Sequence, residues 1–194
     1  RSYGGWTPRN SSRSRYGEMV TLKWGLSQSN NWITAELMYQ IDPYGTRLVD
    51  YLHEFGVANN QIYPSLPLCL GACEITVGEM ASAYTAFVNK GIRCAPILVT
   101  KIEDDQGNIV AEFTPRMSEV ISEQTSYKML DMMQAVIDQG TGRRLRSKYD
   151  IKGQIAGKTG TTNENSDGWF MGCVPRLVTA CWVGGGESSI HFVF

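Results

Sequence analysis

Apolar positions change period along the chain, and the change divides it into regions. Met19, Leu22 and Leu26 in "GEMVTLKWGLSQSNN" recur at helical spacing, and the polar run from Ser27 to Asn31 ends that helix. "WITAELMYQI" resumes as a helix, and "DPYGTRLVDYLHEFGV" reads as another, with Asp42 as N-cap, Pro43 in the first turn and Gly56 as its stop. "PSLPLCLGACEI" reads as a loop. Thr76 and Glu79 form a capping box for a helix closing at Gly91. "APILVTKIEDDQGNIVAEF" predicts a hairpin turning at Asp105, Gln106, Gly107 and Asn108. "SEQTSYKMLDMMQAVIDQG" predicts an amphipathic helix whose inner side carries Met129, Met132, Met133 and Val136 as core residues.

In the last third the period falls to that of strands. "GQIAGKTGT", "DGWFMGCV" and "LVTACWVGG" read as three strands, the last two joined by a tight turn at Pro175 and Arg176. Helices followed by consecutive antiparallel strands predict an α/β chain of the α+β type, with an antiparallel sheet flanked by helices. No internal repeat or linker divides the chain.

Composition narrows the function. The 194 residues suffice for one domain with a real core. The 18 lysines and arginines stand against 19 acidic residues without a long basic run, which argues against nucleic acid as a partner. No apolar stretch is long enough to cross a bilayer, and "RSYGGWTPRN" lacks the marks of a signal peptide, so any targeting information is expected elsewhere. Cys69, Cys73, Cys94, Cys173 and Cys181 contain no CxxC pair and are joined by only two histidines, so no metal site or cofactor is expected. Cys69 and Cys73 admit two readings, a small-loop disulfide in an oxidising compartment or small buried apolar residues.

Two polar clusters carry the candidate chemistry. In a strand over 153–161, Lys158 and Gly160 share one face, and Gly157, Thr159 and Thr161 the other. At a twisted sheet edge both sets can still reach one cleft. Gly160 admits close backbone approach, and such an edge can receive an extended peptide while lysine and threonines hold its carboxylate. A bare K-T-G triplet by itself reads first as an ordinary exposed edge strand. The second cluster, Ser29-Asn30-Asn31, adds an S-x-N arrangement between two helices.

Together with "LPLCLGACEITVGEMASAYTAFVNKGIR", "DQGTGRR", "GKTGTTNENSDGWFMG" and "WVGG", these motifs resemble the transpeptidase domain of class A penicillin-binding proteins, the bifunctional peptidoglycan synthases, from about Trp6 to Gly185. The resemblance implies a penicillin-binding protein/β-lactamase-like fold and a DD-transpeptidase that cross-links peptidoglycan through a serine acyl-enzyme and is inhibited by β-lactams. It implies Ser29 as a proton relay, Asn31 as a hydrogen-bonding partner of the substrate's peptide carbonyl, and Lys158 as the strand lysine supporting Ser29. Thr159, Gly160 and Thr161 become the substrate-binding strand, with the Thr161 backbone N–H in an oxyanion hole. Asn163, Asp167, Gly168 and Trp169 lead into the next strand with positional roles.

The third signature of that family, S-x-x-K, does not occur: no serine stands three residues before a lysine, and Thr125 with Lys128 is only an imitation in an unrelated context. The expectation is a partial domain over 1–194, incomplete at both ends, with its nucleophile, C-terminal helix, glycosyltransferase domain and membrane anchor outside it. Expected partners are D-Ala-D-Ala stem peptides, β-lactams and cell-wall synthesis proteins, at the periplasmic face of the bacterial inner membrane. A DD-carboxypeptidase or β-lactamase-type hydrolase shares the same motifs. A non-catalytic peptidoglycan-peptide-binding module is the alternative from another class.

Overall fold

A computed structural model describes residues 1–162, 165–187 and 189–192. Two short helices open the chain around the first polar cluster: α1 (Leu22–Ser27) and α2 (Asn31–Ile41). Thr21 caps α1 by accepting from the Trp24 N–H, which fixes its start and leaves Met19 outside the helix and 95% exposed, against the expectation from spacing. Asn30 caps α2 by accepting from the Ile33 N–H.

Helix α3 (Thr46–Glu54) corrects a second expectation: its N-cap is Gly45, and Asp42 closes α2 instead. Gly45 takes a left-handed φ of 78°, and a Cβ there would lie 2.6 Å from the Ser65 nitrogen, so only glycine fits this turn. Asp42 still satisfies a free donor of α3, because its Oδ2 accepts from the Leu48 N–H at 2.9 Å. Asp42 thus serves α3 from outside it, across the Pro43-Tyr44-Gly45 turn.

A 3₁₀ helix (Leu66–Leu70) lies in the segment expected to be loop, and α4 (Val77–Val88) follows with its Thr76–Glu79 capping box formed in both directions. Strands β1 (Ile92–Cys94) and β4 (Met117–Glu119) pair as a small ladder too short to show a period in sequence. Between them lies the expected hairpin, β2 (Lys101–Glu103) and β3 (Ile109–Glu112). Its turn is tied by the Asp104 carboxylate, which accepts from the N–H groups of Gln106 and Asn108.

Helix α5 (Glu123–Asp138) buries Met133, Val136 and Ile137 on its inner side. After it come α6 (Arg144–Ser147) and the antiparallel sheet β5 (Ala156–Thr161), β6 (Asp167–Val174) and β7 (Leu177–Gly184), in that spatial order. The central core joins α5 to the sheet: Met133, Ala156 and Cys173 are buried together under Leu26, Tyr84, Phe87 and Val178. This packing sets β5 against α5, and α5 against α1. Cys69 and Cys73 are free and half-buried, and burial raises both thiols, that of Cys69 to about 11. Cys73 packs against the cluster of Val57, Ile62 and Leu68. Among the described residues no helix is long and apolar enough to cross a membrane, and no cluster of His, Cys, Asp or Glu could hold a metal.

Candidate active site

The two polar clusters meet. Lys158 Nζ donates to Ser29 Oγ at 2.8 Å and to the Thr159 carbonyl at 2.7 Å, joining residues 129 positions apart. Both ends of this contact are positioned by backbone. Ser29 follows α1 at the left-handed position of a helix-ending turn, with φ 52°. Its N–H donates to the Leu26 carbonyl and the Asn30 N–H to the Gly25 carbonyl, the bond pair that usually has glycine at the residue occupied by Ser29. A non-glycine residue held there costs about 1–2 kcal/mol. The turn aims the hydroxyl at β5.

Lys158 is held by the sheet register, opposite Met171 and two residues from buried Ala156. Burial away from water lowers its pKa from 10.5 to about 8. A lysine so placed is still mostly protonated at neutral pH and close enough to titration to exchange a proton with a hydroxyl partner.

Among the described residues β5 pairs only with β6, and the turn after α1 and the loop after α5 reach its other edge through Ser29 and Thr141. Along that edge Thr159 Oγ1 makes a 2.6 Å hydrogen bond to Thr141 Oγ1. Lys158 and Thr159, on opposite faces of the strand by alternation, thus both engage groups at its open edge. Thr161 is exposed at the strand end. The tight glycine is a different one from that expected: a Cβ on Gly157 would lie 2.6 Å from the Met171 carbonyl oxygen, whereas at Gly160 the neighbour is the Trp169 side chain at 3.1 Å, not another backbone.

Asn31 is tied to the N-terminal segment. Its Nδ2 donates to the Arg9 carbonyl at 2.7 Å, and its backbone N–H to Asn10 Oδ1 at 2.7 Å. One N–H of the amide remains available beyond the Arg9 bond. The small cavity beside Ser29, about 120 Å³, is lined by Asn30 rather than Asn31, together with Asn10, Ser14, Gln28 and Thr141. Asn10, Gln28 and Thr141 are the residues that sequence reasoning missed. Asn10 and Gln28 had no motif to mark them, and Thr141 lay inside the quoted "DQGTGRR" without a role.

At the start of β6 the Asp167 carboxylate accepts from the Trp182 indole, Ser166 and Thr162, which keeps it below the usual carboxylate range. Gly168 and Trp169 lie in β6 opposite Thr161 and Gly160, a positional placement. Asn163 lies outside the described residues.

The chain as a whole matches known proteins. Residues 1–183 match the penicillin binding protein transpeptidase domain. The chain is 37% identical over 180 residues to penicillin-binding protein 1A of Aquifex aeolicus, covering 92% of this chain and 24% of that protein. It is 34% identical over 184 residues to the Neisseria lactamica penicillin-binding protein 1A, covering 92% and 22%. It thus spans about a quarter of the length of the curated relatives it matches. The crystal structure of penicillin-binding protein 1A from Haemophilus influenzae superposes with a TM-score of 0.86 at 27% identity, covering 96% of this chain and 33% of that one. PonA1 of Mycobacterium tuberculosis, solved in complex with penicillin V, superposes at 0.77 with 25% identity, covering 91% and 51%. The chain belongs to the penicillin-binding protein transpeptidase family and resembles the penicillin-binding proteins 1A over nearly all of its length.

Proposed function

We propose that these residues form part of the DD-transpeptidase domain of a bifunctional cell-wall synthase, a serine-type acyltransferase that cross-links peptidoglycan stems. The observation that carries this reading is the Lys158–Ser29 bond at 2.8 Å, because it turns two separate sequence motifs into one proton-conducting pair. The nucleophile is a serine outside these residues, since no serine here has a lysine three positions on.

The steps follow from that assignment. The nucleophilic serine attacks the penultimate D-alanyl carbonyl, an ester forms, the peptide bond breaks, and the terminal D-alanine leaves as an amine carrying the proton. An amine of a neighbouring stem then displaces the serine, which recovers a proton. Ser29 and Lys158 hold and pass the proton at the leaving and attacking nitrogens. The donor peptide lies along the open edge of β5, with its carboxylate on the hydroxyls of Thr159 and Thr161 and the developing oxyanion at the Thr161 N–H. Gly160 keeps the strand clear beside them, and Asn31 presents its remaining amide N–H to the substrate. A β-lactam occupies the same edge and stops at the ester. The reaction belongs at the periplasmic face of the inner membrane, with the membrane anchor in another part of the longer protein.

The deciding experiment is an acceptor assay on the longer enzyme with a D-Ala-D-Ala stem peptide. Transfer of the acyl group to an added amine is expected. Release to water alone would make the protein a hydrolase. No turnover and no β-lactam adduct would leave only peptide binding.

A further inference from the structure

We propose that Thr141 is a substrate-positioning residue of this site, setting the hydroxyl of Thr159 toward the carboxylate of the donor peptide or β-lactam. The inference rests on the transpeptidase reading above and adds a residue to it.

The segment carrying Thr141 is held at both ends. Its N–H donates to the Ser27 carbonyl at 3.1 Å, and Gln28 Nε2 donates to the Gln139 carbonyl at 3.2 Å, so the loop after α5 is stapled to the turn that presents Ser29. A Cβ on Gly140 would lie 2.1 Å from the Ser27 oxygen, which shows how closely the two backbones approach. From this fixed loop the Thr141 hydroxyl reaches 2.6 Å to the Thr159 hydroxyl, and Thr141 also lines the cavity beside Ser29. One loop therefore spans the cleft between the S-x-N turn and the edge strand.

The direction of the hydrogen bond follows from the ligand. A carboxylate only accepts, so a Thr159 hydroxyl bound to one must spend its single proton there. It then accepts from Thr141, whose proton is free to give. An anion at Thr159 thus orders the pair as Thr141 to Thr159 to carboxylate, and each bond polarises the next. Without Thr141 the Thr159 hydroxyl rotates freely and its oxygen lacks a donor.

The test compares benzylpenicillin with its methyl ester as acylating agents of the longer enzyme. Thr141→Val keeps the volume and removes the hydroxyl, and Thr141→Ser keeps the hydroxyl. For benzylpenicillin, Thr141→Val should lower the second-order acylation constant by about threefold to tenfold. The loss should appear in the concentration for half-saturation more than in the limiting rate. The ester should lose nothing, Thr141→Ser should restore the wild-type value, and Thr141→Val should add no further loss to Thr159→Val. Equal losses on acid and ester, additive losses in the double variant, or no loss at all would overturn the inference while leaving the transpeptidase reading intact. A wild-type enzyme that benzylpenicillin does not acylate would overturn the reading itself and this inference with it. Melting curves of both variants separate a folding defect from a positioning one, and Thr141→Ser carries the test if the valine variant unfolds.

Discussion

Replacing Lys158 with methionine should separate catalysis from stability. The substitution keeps most of the stem and removes the donor to Ser29 Oγ and to the Thr159 carbonyl. A charge-assisted hydrogen bond is worth about 1.5–3 kcal/mol, so acylation of the longer enzyme should slow by about one to two decades. Stability moves differently. Lowering a lysine pKa from 10.5 to about 8 by burial corresponds to an upper bound of about 3 kcal/mol against folding the charged form. The two lost bonds, both donated by the charged ammonium, offset about 1.5 kcal/mol each at the lower end of that range. At pH 7 the variant should therefore melt close to the wild-type temperature. The sign with pH is fixed: the unfolded chain binds more protons than the native one between about pH 8 and 10.5, so the wild type gains stability relative to Lys158→Met across that window. Labelling rates with a fluorescent penicillin and melting curves at pH 7 and pH 10 make the test. Unchanged labelling, or a large drop in melting temperature at pH 7, would refute the reasoning.

Three further outcomes follow from local geometry. Ser29→Gly and Ser29→Ala should be equally slow in acylation, but the glycine variant should be more stable by about 1 kcal/mol, a few degrees in melting temperature, because only it relieves the left-handed backbone at φ 52°. Gly157→Ala should destabilise by about 1–3 kcal/mol in thermal unfolding, since the new Cβ would lie 2.6 Å from the Met171 carbonyl oxygen. Thr76→Ala should cost about 1 kcal/mol by removing the cap on α4 while leaving penicillin labelling at its wild-type rate.

Local signals carried the start of α4, the hairpin and the strands of the final sheet. Thr76 with Glu79 and the turn at Pro175 and Arg176 are chemistry within a few residues, and β6 and β7 occupy the expected spans. What failed was longer in range or had no period. Asp42 serves α3 across an intervening turn, and β1 and β4 are three residues each and pair across a hairpin. At the site, motif order marked Ser29 and Lys158 because both are fixed by backbone turns and register. Asn31 carries a motif letter, yet its amide is directed by the Arg9 carbonyl, a partner that no spacing rule identifies. Thr141 has the same origin: its role lies in a loop brought to β5 by the packing of α5 on the sheet.

The most direct measurement is mass spectrometry with peptide mapping after excess benzylpenicillin, on the longer enzyme and on these 194 residues alone in parallel. The account requires one stoichiometric adduct on the longer enzyme, on a serine outside these residues with a lysine three positions on, and slower formation of that adduct in Lys158→Met. It requires no adduct on the 194-residue chain, because Ser29 has a proton-exchanging lysine but no role as nucleophile. A stoichiometric adduct on Ser29 or any other residue described here, or none on the longer enzyme, would contradict it.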